Sequence, residues 1–340
     1  MPKILIHDVT LRDGSHAVGH QLTKKQIAVY AKAAELAGVP IVEVGHGNGL
    51  GASSLQVGES LVSDMEMLKI AREILVNSKL GAFIIPGFAT INKDLSKAFD
   101  IGVDVVRVAS HCTEADITER HISYARERGK EVYGVLMMSH MATTEILIEE
   151  CHKLKAYGAE GVVLMDSSGA YLPRDVTERI SALSSNLKIP IGFHAHNNLG
   201  MAVANSIAAA EAGATILDGA MRGFGAGAGN AQLEVLCAVL EKMGYQTDID
   251  LYKILDAGEI AEQELLKVTP SIKGISIVSG LAGVFSGFSK HVDRIAKEYN
   301  VDPRDIFFEL GRRKVVAGQE DIIIEVAIEL SRKNERYPTR

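Results

Sequence analysis

Eight short runs rich in Val and Ile, each followed by a turn and an amphipathic stretch, set the narrowest limit on how this chain can fold. They fall at residues 4–7, 41–45, 80–86, 103–109, 132–138, 161–166, 191–196 and 215–220. Helical periodicity fills the gaps, most clearly over 24–37, 64–77, 143–157 and 199–212. Gly38, Gly158 and Gly213 stand where helices should stop before the next strand, and Thr23 and Ser63 stand where helices should start. Strands apolar on both faces and alternating with helices imply a parallel sheet covered on both sides. Eight of them within about 240 residues is the repeat of a TIM (β/α)8 barrel. A doubly wound open sheet is the competing architecture, and the count favours closure. After Gly244 the alternation stops, and residues 251–268, 290–300, 303–312 and 320–333 read as helices. The expected division is a barrel over 1–245 and a C-terminal helical domain over 246–340.

Bulk properties remove several function classes. Formal net charge is -7 and no long basic run occurs, which argues against nucleic acid as a partner. No apolar stretch approaches the roughly 20 residues that span a bilayer. The opening MPKILIHDVTLRDG has no charged-then-apolar signal pattern, so a cytoplasmic location is expected. Cys112, Cys151 and Cys237 are too scattered for a disulfide framework or a CxxC metal site.

In a barrel of this kind chemistry sits at the C-terminal ends of the strands. Polar residues gather there: Arg12, Asp13 and His16 after the first strand, Glu43 and His46 on the second, and Arg107 and His111 on the fourth. His140 follows the fifth, Asp166 and Ser167 end the sixth, His194 and His196 end the seventh, and Asp218 and Arg222 follow on the eighth. Loops are polar in any protein, but that alone does not place His, Asp and Arg at one end of strand after strand. His194 and His196, two apart on a strand, point to one face. Asp13 lies just past strand one, which neighbours strand eight in a closed barrel. Two imidazoles and a carboxylate without thiolate suit Mn2+, with Mg2+ or Co2+ possible. Arg12 beside such a cation would stabilise a developing enolate oxygen, or would instead form a structural salt bridge to Glu43 or Asp218. His16 is a candidate general base, with His20 close enough in sequence to be confused with it. His111 and His140 read as hydrogen-bonding support. The glycine-rich stretch 223–230 follows the last strand, not the first, so it reads as a tight turn near substrate or metal, with Asn230 close by.

The motifs HDVTLRDGSHA and FHAHNNLGMAVANS, with VEVGHGNGL, VRVASHCTEAD, LMMSHM, GAGAGNAQLEV and the AGQED stretch at 317–321, resemble the 4-hydroxy-2-oxovalerate aldolases of the DRE-TIM metallolyases. The resemblance runs from about residue 4 to residue 330. It implies Mn2+ held by Asp13, His194 and His196, Arg12 against the pyruvyl group and its enolate, His16 as catalytic base, and Ser167 in contact with substrate. It further implies retro-aldol cleavage to pyruvate and acetaldehyde in aromatic hydrocarbon catabolism. A homodimer would be joined by an acylating acetaldehyde dehydrogenase that takes the aldehyde through a tunnel. One position departs from the family: Phe285 stands where a substrate-contacting Tyr is usual, which bears on C4 stereochemistry and substrate identity. The alternatives are a Claisen-type acyl-CoA synthase, a hydroxymethylglutaryl-type lyase, a metal hydrolase using the His-x-His pair, and a non-catalytic assembly subunit.

Overall fold

The computed structural model describes residues 1–266, 268–316 and 318–336; Lys267, Ala317 and residues 337–340 lie outside that description, so the 317–321 motif is seen only from Gly318 onward. Eight parallel strands close on themselves in sequence order: β1 Leu5–Leu11, β2 Ile41–Val44, β3 Lys79–Ile84, β4 Val105–His111, β5 Glu131–Met137, β6 Gly161–Asp166, β7 Ile191–Ala195 and β8 Ile216–Gly219. The ring shuts where β1 pairs β8 with Leu5 opposite Ile216 and His7 opposite Asp218.

Helices α1 Lys24–Ala37, α2 Asp64–Ile74, α3 Ser96–Ile101, α4 Glu119–Glu127, α5 Thr144–Ala156, α6 Pro173–Leu187, α7 Ala202–Glu211 and α8 Leu233–Lys242 follow the strands. Local chemistry sets α1 as expected. Thr23 and Gln26 form a capping box at its start, and Gly38 ends it with φ 75°. The outward strand residues and the inner helix faces make one apolar core, including Val42, Val106, Ile27 and Leu183. Inside the barrel the strand starts are filled by Leu5, Ile41, Val105, Tyr133 and Ile216.

Beyond the barrel lie α9 Leu251–Glu264, α10 Gly274–Ala282, α11 Ser289–Tyr299, α12 Pro303–Arg312 and α13 Asp321–Arg336. Although α9 lies C-terminal to residue 245, it packs along α1, and its Ile254, Ala257 and Ala261, with Leu265 just past its end, belong to the barrel's core. A second core starts with Val278 on α10 and gathers Phe288, Val292, Phe307, Leu310, Ile323 and Val326. The two bodies meet near the strand C-termini. There the Asn198 side-chain amide donates to Ser286 Oγ at 2.6 Å, and a ring nitrogen of His140 lies 2.9 Å from the carbonyl of Gly283. Among the described residues no helix is long and apolar enough to cross a membrane.

Candidate active site

The site begins with an irregularity in β1. Its register against β2 shifts between Asp8 and Leu11, and such a bulge re-aims the residues after it. Arg12 and Asp13 follow at once and are almost fully buried. Asp13 accepts Arg12 Nη1 at 2.6 Å on one oxygen, and Asn230 Nδ2 at 2.8 Å and the Ala226 N–H at 3.3 Å on the other. Burial opposes ionisation of this carboxyl, but Arg12 and His196 outweigh it and hold it well below the usual carboxylate range.

His194 and His196 come from the end of β7, with rings 4.9 Å apart between centroids. Each has its Nδ1 taken. His194 Nδ1 donates to Asp218 Oδ2 at 2.8 Å, and His196 Nδ1 donates to the Asp166 carbonyl at 3.1 Å. A neutral imidazole with Nδ1 protonated presents its Nε2 lone pair, the usual arrangement of a metal-binding histidine. His194 Nε2 is buried with no partner, and His196 Nε2 lies 3.7 Å from Asp13 Oδ1. Ligand atoms of Asp13, His194 and His196 all lie within 4.8 Å of one another. Asn230 Oδ1 is likewise buried and unpartnered. This donor set of nitrogens and oxygens, with orphaned lone pairs, fits a divalent cation.

Arg12 makes one of the two contacts its position suggests and keeps a nitrogen spare beside it. Its Nε pairs Glu43 Oε1 at 2.6 Å and its guanidinium lies 4.4 Å from the Phe83 ring centre, so the structural salt bridge exists. Its Nη2 remains buried without a partner and available to a ligand. His16 is half-buried on the short turn after Asp13, edge-on to His20 at 4.7 Å. A Cβ on Gly47 would lie 2.4 Å from His16 Nε2, so only glycine leaves room for the ring. Desolvation, with help from neighbouring His46 and Arg12, pushes His16 down to about 4 against the pull of Asp13, leaving it neutral and able to accept a proton. His20 is stacked on His46 at 3.8 Å and hydrogen-bonded through Nδ1 to Ser15.

Of the remaining candidates, Ser167 follows β6 directly, with its hydroxyl accepting the Met138 N–H at 2.9 Å, which leaves its own proton free to donate. Phe285 and His16 line the same cleft of about 620 Å³, between the barrel mouth and α10–α11. His140 bonds Ser168 and Gly283, and His111 bonds Thr113, so neither touches the ligand cluster. Arg222 turns away to Glu234 and Glu262. The glycine-rich turn is close-packed as expected: a Cβ at Gly225 would lie 2.3 Å from Asn230 Nδ2 and 2.8 Å from Asp13 Oδ1.

Glu43 and Asp218 stand out in the sequence as polar strand residues and as alternative partners for Arg12, of which the structure pairs Glu43, and Arg107 stands out only as a polar strand residue. In the structure they form one buried network that backs the site. The available signal was a charge inside each apolar run, in VEV, VRV and LDG, since a charge there must be paired.

Residues 3–261 match the HMGL-like family, and residues 270–332 match the DmpG-like communication domain. The chain is 65% identical over 335 residues to a 4-hydroxy-2-oxovalerate aldolase of Spirochaeta aurantia, covering 98% of each chain. It is 63% identical to that of Pectobacterium atrosepticum, covering 98% of this chain and 97% of the relative. Among solved structures, the N-terminal domain of a putative aldolase from Bacteroides vulgatus superposes with a TM-score of 0.73 at 23% identity, over 88% of this chain and 98% of that one. The carboxyl transferase domain of Rhizobium etli pyruvate carboxylase superposes at 0.79 and 16% identity, over 98% of this chain and 62% of the other. These two share the fold. Barrel, ligand cluster and family match together define a carbon–carbon lyase of the HMGL-like class. Within it, the chain belongs to the 4-hydroxy-2-oxovalerate aldolases.

Proposed function

We propose that the chain cleaves 4-hydroxy-2-oxopentanoate to pyruvate and acetaldehyde, with Mn2+ as the preferred ion at Asp13, His194 and His196. The observation that carries this reading is the pairing of three clustered ligand atoms with a buried arginine that keeps one nitrogen free beside them. When bound, the cation supplies Lewis acidity to the carboxylate and 2-oxo oxygens of the substrate. Arg12 Nη2 donates to the 2-oxo oxygen and stabilises the negative charge that grows there. His16 removes the proton of the C4 hydroxyl. The C4–O electrons form the aldehyde carbonyl, the C3–C4 bond breaks, and its electron pair passes to C3 as pyruvate enolate. Proton return to C3 completes pyruvate. Ser167 contacts the substrate, and Phe285 offers a ring without a hydroxyl donor on the wall of the cleft.

In this reading residues 1–245 carry the chemistry. The helices of 246–340, from α10 onward, form the surface where an acylating acetaldehyde dehydrogenase docks and receives the aldehyde. The enzyme works as a homodimer within that assembly, in the cytoplasm. The test is pyruvate release from 4-hydroxy-2-oxopentanoate by chelated enzyme and after Mn2+ is returned. Pyruvate should appear only with metal, and His16→Ala should lower the rate by about 10²–10⁴-fold, the usual size of a general-base contribution. Metal binding without pyruvate from this acid or its homologues would overturn the reaction assigned.

A further inference from the structure

We propose that Arg107 is a positioning residue that sets both halves of the site at once: the metal-binding half through Asp218 and the enolate-stabilising half through Glu43. This rests on the reading of Asp13, His194 and His196 as the metal site and of Arg12 as the enolate donor.

Arg107 sits mid-strand on β4 between Val106 and Val108 and is 1% exposed. A guanidinium in that place is costly unless fully paired. Its Nε donates to Glu43 Oε2 at 2.5 Å, its Nη2 donates to Glu43 Oε1 at 2.7 Å, and its Nη1 donates to Asp218 Oδ2. Each carboxylate is then shared with one member of the site. Glu43 Oε1 also accepts Arg12 Nε at 2.6 Å. Asp218 Oδ2 also accepts His194 Nδ1 at 2.8 Å. The chain of contacts is therefore Arg12, Glu43, Arg107, Asp218, His194, with Arg107 at its centre. Arg12 itself reaches Glu43 and Asp13 but forms no contact with Asp218 among the described residues. Without Arg107 the two carboxylates lose their common partner, and Arg12 and His194 stay linked only through the ligand cluster at Asp13. A lysine cannot substitute, because one ammonium point charge lacks the planar fork that grips Glu43 at two atoms while reaching Asp218.

The test compares four purified variants with the parent: R107M, R107K, E43Q and D218N. Mn2+ affinity is read from free-ion electron paramagnetic resonance, kcat is read at saturating Mn2+, and far-UV circular dichroism establishes folding. D218N should weaken Mn2+ affinity more than it lowers kcat, by about 10–100-fold, the usual cost of losing a group behind a metal ligand. E43Q should lower kcat more than Mn2+ affinity, by roughly 10²-fold, as expected of a misplaced catalytic cation. R107M should show both losses together, and R107K should restore neither to the parent's value. If R107M does not fold, R107K and the two single-arm variants decide the matter. A folded Arg107 variant that keeps both quantities within twofold of the parent would overturn the proposal, as would one that loses only one of them. A parent that binds no Mn2+ would instead sink the metal-site reading, and that measurement comes first.

Discussion

Two residues separate the inert part of the barrel interior from its reactive part. On β2, β4 and β8 the inward-facing pairs are Ile41 and Glu43, Val105 and Arg107, and Ile216 and Asp218. At the strand starts these positions are hydrocarbon; one step along, they are ionised and cross-linked. Both layers are equally sealed from solvent, since Ile41 and Glu43 are each 1% exposed. The apolar layer gains its free energy by leaving water. A buried ion pair largely offsets its own desolvation and adds little net stability, so its use is to hold groups in place. The lower layer should therefore govern whether the barrel stays folded, and the upper layer whether it turns over.

Substitutions in each layer can break that division. Asp13→Asn, at the top, should abolish tight metal binding and lower kcat/KM by at least about 10³-fold, since Lewis-acid stabilisation is worth several kcal/mol and each tenfold corresponds to about 1.4. Its thermal midpoint without metal should fall, because Arg12 loses one of its two buried carboxylate partners, but by less than that of Ile216→Ala, since Glu43 remains; an equal fall would mean that the upper layer also carries the fold. Ile216→Ala, at the bottom, should cost about 2–5 kcal/mol in denaturant unfolding and leave kcat near the parent's. A matching loss of kcat would mean that the layers are not separable. Phe285→Tyr, on the cleft wall, should give the smallest effect, under about tenfold in kcat/KM, the reach of one exposed hydrogen bond. Its sign should differ between the two C4 enantiomers of the substrate; equal change for both would remove Phe285 from stereochemical control.

Most of the lower layer was legible in the sequence, because β-branched runs and helix stops are local signals. The strands lie where the runs lie, and α1 matches its periodic stretch from end to end. Helix α10 was not anticipated. Its Gly274, Ile275, Ile277, Val278 and Gly280 are poor helix formers, and the reason for one glycine is tertiary: a Cβ at Gly280 would lie 2.8 Å from Leu199 Cγ. In the upper layer, the His-x-His pair announced a shared face through period-two geometry. The placement of Asp13 against it needed only the cyclic order of a closed barrel. The links from Glu43 to Arg107 to Asp218 were not readable, because which interior charges meet depends on strand tilt and stagger around the ring. Asn230 was anticipated near the metal, but its grip on Asp13 depends on the backbone path of a glycine-rich turn.

Closure of the ring between β1 and β8 also joins distant parts of the chain. Asp13 leaves the first strand and the two histidines stand at the end of the seventh, so bringing them together closes a loop that spans most of the barrel's chain. Pairing across so long a stretch of chain is entropically slow. A ligand set gathered from such distant strands is complete only in the closed barrel, so any affinity for metal at these three residues depends on the whole ring being intact.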